Sequence, residues 1–155
     1  MKINIKILVL LLLLIQGCSY ELINSPNKEK IFVQAINVNG DTRSAFIIKK
    51  SVMRKSNKES KNRIEMDIDL LEKVSIVEKN IQNQVTKYKI NLEAKVSVND
   101  LKSDRDYSKN YTSEKTYDVG DRYSITVENS KQAKKTSLDN LINQILEDLN
   151  LYYNQ

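Results

Sequence analysis

Apolar residues in this chain recur with two different periods, and the order of those periods predicts the fold. Ile31 to Val38 is apolar on both parities, which predicts a strand buried on both faces and therefore central in a sheet. Asn39-Gly40-Asp41 ends it, and Asp41 or Thr42 can cap a following helix by accepting its orphan N–H groups. In that helix Ala45, Ile48 and Val52 share a face, widened by Phe46 and Met53. A polar loop at 55–62 leads into a strand where Ile64, Met66, Ile68 and Leu70 alternate with Glu65, Asp67 and Asp69. The same parity continues through Val74 and Ile76 but breaks at Glu72, where a bulge or a sheet edge fits. A polar turn at 78–84 follows. Tyr88, Ile90, Leu92, Ala94, Val96 and Val98 then form the cleanest alternation in the chain. These two runs should pair as an antiparallel hairpin with one apolar and one polar face. Residues 99–110 read as a charged loop, and 111–119 as a more polar strand at an edge. Gly120-Asp121 repeats the earlier Gly-Asp junction and marks a second turn from strand to helix. From Leu138, the residues Leu141, Ile142, Ile145, Leu149 and Tyr152 continue one stripe at helical spacing. Residues 123–130 fit strand, loop or first turn.

The order is strand, helix, strand, strand, strand, helix. The fold class it predicts is α+β: a two-layer sandwich with a four-stranded, mostly antiparallel sheet covered on one face by two helices. Residues 31–155 form that single domain.

The start of the chain belongs to a different category. Lys2 and Lys6 precede the apolar run Ile7 to Ile15, and Gln16-Gly17-Cys18-Ser19 follows. This is the layout of a secretory signal peptide, too short for a permanent span. The cysteine directly after a small residue resembles a bacterial lipobox, although Gln16 stands where a small or branched residue is usual. That resemblance implies cleavage of residues 1–17 and a lipid on Cys18, with 18–30 as a tether containing Pro26, the one proline of the chain. No other run approaches the roughly 20 apolar residues of a transmembrane helix. Ser19, rather than an aspartate, points to the outer membrane.

Composition then removes whole classes of chemistry. There is no histidine and no tryptophan, and the single cysteine is consumed by the lipid. Ser-His-Asp and Cys-His catalysis and the usual zinc ligand sets are therefore out of reach. Gly40 and Gly120 alone remain after cleavage, so no glycine-rich phosphate loop can form. Glu65, Asp67 and Asp69 share one strand face. They could serve as a cation site or acid/base pair, but a solvated strand face is the plainer reading. Lysine and arginine number 25 against 20 acidic residues; without Lys2 and Lys6 the excess is only three. That balance argues against nucleic acid and suits anionic lipid headgroups or phosphorylated glycolipids. No catalytic residue, metal or cofactor is expected beyond the covalent lipid.

The lipobox followed by an aromatic, Cys18-Ser19-Tyr20-Glu21-Leu22, together with the element order and the length, resembles the lipopolysaccharide-assembly lipoprotein LptE family. So do Gly40-Asp41-Thr42-Arg43-Ser44 before the first helix and the closing stretch 124–149, with Ala133, Leu138, Asp139, Leu141, Ile145 and Leu149. The resemblance implies a non-enzymatic protein that plugs and helps assemble the outer-membrane β-barrel LptD and binds lipopolysaccharide. Candidate contacts to its phosphates are Lys87, Lys89 and Lys95 on one strand face, with Lys115 and Arg122 flanking the last strand and its turn. The plainer reading is that Lys87, Lys89 and Lys95 pair across the hairpin with Glu65, Asp67 and Asp69. Tyr107, Tyr111 and Tyr117 suit either a surface against a barrel wall or an ordinary edge strand. An accessory lipoprotein of another envelope complex and a periplasmic lipid carrier remain as alternative functions.

Replacing Cys18 by Ala should move the folded domain from the membrane fraction to the soluble periplasmic fraction. A variant that still sediments wholly with membranes would overturn the lipid anchor.

Overall fold

The computed structural model describes residues 31–102 and 106–153. The signal peptide, Cys18 and the tether lie outside the described residues. Six elements appear in the expected order: β1 (Ile31–Asn39), α1 (Thr42–Lys55), β2 (Asn62–Lys79), β3 (Val85–Asp100), β4 (Asp106–Asp118) and α2 (Tyr123–Tyr152). The sheet runs β1-β2-β3-β4, with β1 parallel to β2 and the other neighbours antiparallel. Both helices cover the same sheet face. This is the α+β arrangement the sequence predicts.

β1 is an edge strand, not a central one. Its register with β2 skips Gln34, so the strand bulges there. Ile31 and Val33 precede the bulge and Ile36 follows it, and all three are buried on the same face. One extra residue reverses the parity, so a pattern apolar at odd and even positions serves a single face. Phe32 falls on the other face, where the Arg63 guanidinium lies 5.9 Å from its ring centre. The outer edge of β1 is bonded to its own chain at its start: Val33 N–H donates to Ser56 Oγ at 2.8 Å, and Asn57 N–H donates to the Ile31 carbonyl at 3.0 Å.

Gly40 ends β1 with φ at +130°. A side chain there would collide with β2, since a Cβ would stand 2.4 Å from the Leu70 carbonyl oxygen. Asp41 then caps α1, accepting from the Ser44 N–H at 2.9 Å and its hydroxyl at 2.7 Å. Ser44, Ile48 and Val52 form the buried stripe of α1. Phe46 and Met53 do not widen it, being 65% and 46% exposed. Lys134 of α2 joins the junction, 3.2 Å from Asp41 and 2.7 Å from Glu72 of β2. Burial opposes the Lys134 charge, but those two carboxylates outweigh it and raise its pKa. Glu72 is therefore no break in β2. It stays in register opposite Leu92, and the irregularity falls later, around Val77.

β4 begins at Asp106, inside the stretch expected to be loop. Lys109 disguised it. This lysine occupies a helix-facing position yet carries its ammonium out to Asp148 on α2. α2 is helical from Tyr123, about 45 Å long at 1.5 Å per residue. Arg122 holds the N-cap position with no side-chain capping bond. Leu138, Leu141, Ile142, Ile145 and Leu149 are at most 1% exposed and pack on β3 and β4. Each such side chain contributes about 1.5–3 kcal/mol by leaving water.

Leu141→Ala should cost about 2–5 kcal/mol in urea unfolding, through lost burial and the cavity left behind. An unchanged midpoint would mean α2 is not docked on the sheet. The Asp41 carboxyl is held down at about 2 from 3.8 by the Ser44 hydroxyl, the Ser44 N–H and Lys134, in that order. Its folded pKa lies below the unfolded one, so its contribution is complete above pH 3.8 and fades as pH falls towards about 2. Asp41→Asn, which still caps, should flatten stability against pH in that window. An identical acid limb would count against the assignment.

Candidate functional site

The sheet face turned away from the helices carries most of the candidate charge. Even positions of β3 from Ile90 to Val98 are buried beneath the helices, so its odd positions point outward. Lys87, Lys89 and Lys95 therefore share the outer face, as their spacing predicts. Two of the three are engaged. Lys87 Nζ lies 3.0 Å from Glu78 and 3.8 Å from Asp118, and Lys89 Nζ lies 3.0 Å from Glu114. The Glu78 hydrogen bond chiefly raises the Lys87 pKa. The partners are not Glu65, Asp67 and Asp69. The register sets those opposite Asn99, Ser97 and Lys95, and Asp69 accepts from the Asn39 amide at 2.8 Å. Lys95 faces Asp69 across the hairpin, but it has no ion pair among the described residues.

The other two bases lie elsewhere. Lys115 sits opposite Ile90, which assigns it to the helix-covered face. Arg122 stands at the start of α2. The five candidates do not converge on one patch. Among the described residues no cluster of three acidic or cysteine side chains could hold a metal, and no helix is long and apolar enough to cross a membrane.

The three candidate tyrosines lie on the helix side, opposite Val98, Ala94 and Tyr88. Tyr111 is 5% exposed and shares a 2.5 Å hydroxyl–hydroxyl hydrogen bond with half-buried Tyr107. Burial, then that bond, pushes the Tyr111 phenol well above its ordinary range. Tyr107 packs on Tyr152, ring centres 5.0 Å apart. Tyr117 stacks on Tyr88 at 5.5 Å, at the far end of the sheet. Tyr111 thus belongs to the core, and Tyr107 and Tyr117 show only partial surfaces.

Lys95 lines an open depression of about 350 Å³ on the outer face, together with Leu71, Glu93, Asp69 and Thr112. A second open groove of about 420 Å³ runs between β4 and α2, lined by Lys109, Gln144, Glu147 and Asp148. The first combines the Lys95 ammonium with exposed Leu71, while Lys73 neutralises Glu93 and Asp69 partly offsets the positive charge. Reading only even positions of β2 missed Leu71, half-exposed on the polar face opposite Glu93, and Val77, half-exposed at the bulge. Their odd numbering in an otherwise charged series was the available signal.

No family model matches the sequence, and no curated protein is similar to it at a significant level. Solved structures do share its fold. Rare lipoprotein B from Shewanella oneidensis superposes with a TM-score of 0.55 over 78% of this chain and 99% of its own, at 7% identity. A minor lipoprotein from Acinetobacter baumannii gives 0.57 over 81% and 95%, at 9% identity. Lipoprotein B from Nitrosomonas europaea gives 0.53 over 83% and 90%, at 12% identity. At these identities the likeness is one of fold, and all three neighbours are bacterial lipoproteins.

Proposed function

We propose that this chain is an outer-membrane lipoprotein of the LptE type. It is held by a lipid on Cys18, and it plugs and supports the LptD β-barrel that delivers lipopolysaccharide to the outer leaflet. The observation that carries the reading is the joint occurrence of a lipobox-like leader and a fold shared along nearly the whole length of rare lipoprotein B. That name is also borne by the LptE family. The proposed role is non-covalent, in keeping with a chain that lacks histidine and has its one cysteine in the leader junction. Of the basic candidates, Lys95 is the best placed for a lipid A phosphate, because it is unpaired and stands beside exposed Leu71. A lipid carrier finds less support, since the two depressions described are open to solvent rather than enclosed.

The test is purification from membranes in mild detergent through a tag after Gln155. A single large outer-membrane β-barrel in stoichiometric amount supports the reading. A different envelope complex, or the chain alone, overturns it. In parallel, Lys95→Glu should weaken binding of purified lipopolysaccharide about fivefold or more, the scale of one lost charge-assisted contact. Lys87→Glu and Lys89→Glu should matter less. Equal affinity for all three variants would remove the outer face as the binding surface.

A further inference from the structure

The sheet has three stretches of free edge, and two of them are protected. β1 is short, bulged at Gln34 and bonded at its start by Ser56 and Asn57. β4 carries lysine, glutamate, asparagine, serine and threonine along its length, with no aliphatic residue. Such edges discourage pairing with other chains. The third stretch is different. β1 pairs with β2 only as far as Asp69, and Gly40 turns the chain away against Leu70. From Leu71 to Lys79, β2 has β3 on one side and no strand on the other. Nine residues at about 3.3 Å each leave roughly 30 Å of main chain with one row of N–H and C=O groups unpaired by the sheet. Four aliphatic side chains on this stretch, Leu71, Val74, Ile76 and Val77, are 50–53% exposed.

We propose that this edge is a docking strand. It adds an extended segment of the partner protein to the sheet by main-chain hydrogen bonding, with apolar residues of that segment meeting Leu71 on the outer face, Val74 and Ile76 on the helix side, and Val77 at the bulge. The charges of the stretch select the chemistry of the occupant. Glu72 is held by Lys134, Lys73 by Glu93, Glu78 by Lys87, and Lys79 donates to Asn83. The charged side chains are all engaged within the chain, so the edge favours an uncharged strand with apolar residues at alternate positions. The tether of this chain is a poor occupant. It joins at Ile31, beside Asn62 at the opposite end of β2, with β1 between it and the open edge. A second copy is also disfavoured. Two copies paired about a two-fold axis at this edge would run antiparallel and send their Ile31 ends in opposite directions, away from a shared leaflet.

The identity of the partner as the barrel, and the exclusion of a second copy through a shared leaflet, rest on the proposed function; the open edge itself does not. The test uses the full-length lipidated chain in its own membranes. A benzophenone amino acid replaces Leu71, Lys73 or Ser75 in turn, with Lys50, Asn140 and Glu147, exposed on the helices, as controls. The proposal expects cross-links from the three edge positions to successive sites on one extended segment, a segment that the controls do not reach. In the purified complex, alternate amides between 71 and 79 should exchange with deuterium at least about tenfold more slowly than in the free protein. Leu71→Lys combined with Val77→Lys should weaken the complex at least about tenfold with unchanged folding, while Val77→Ile retains it. Edge cross-links to a protein that is not a barrel would sink the barrel reading and keep the docking edge. A co-purifying barrel with no edge cross-links would do the reverse. Cross-links at twice the mass of the chain, or unchanged exchange at 71–79 in the complex, would overturn the docking edge.

Discussion

One apolar sheet face has to be kept from water, and α2 does most of that covering. Its stripe from Leu138 to Leu149 presses on β3 and β4, while the shorter α1 covers β1. The two long strands have alternation strong enough to form a hairpin, but a hairpin with a bare apolar face is not stable alone. Docking of α2 turns the hairpin into a layer. That requirement also explains the odd residues at the margin. Lys109 tolerates a helix-facing position because its charge escapes to Asp148, and Tyr107 and Tyr111 satisfy their hydroxyls on each other where the layer thins.

The second organising contact is Lys134, which meets Asp41 and Glu72 where α2, the start of α1 and the middle of β2 converge. It is only partly buried, so its energetic weight is modest. Its geometric role is larger. It marks the level at which β1 has just ended and β2 continues alone, and it neutralises the one carboxylate on the helix-facing side of β2.

Much of the fold was legible because alternation and helical spacing are strict here. The hairpin, the last helix from Leu138 and the two Gly-Asp junctions all lie where the pattern sets them. Three features were hidden, each for a physical reason. A single-residue bulge at Gln34 mimics a strand buried on both sides. A snorkelling lysine makes the first half of β4 look like loop. The burial of Tyr111 cannot be read from its own parity, because an edge strand and a core strand share that spacing. The candidate site was less legible than the fold. Spacing does set Lys87, Lys89 and Lys95 on one face, but it cannot say which acids reach them. Lys115 needed the register with Ile90 to be assigned to the opposite face.

Gly40 has a further consequence. It fixes where β1 leaves the sheet, yet it contributes nothing to the core beneath. Shifting that glycine by two positions along the chain, with the matching change in strand length, would preserve which side chains face inward. It would lengthen or shorten the solitary part of β2 by the same two residues. The length of open β2 edge is thus set at one position of the chain, and a lineage could retune it for a new neighbour by repacking only the end of β1 around Val38.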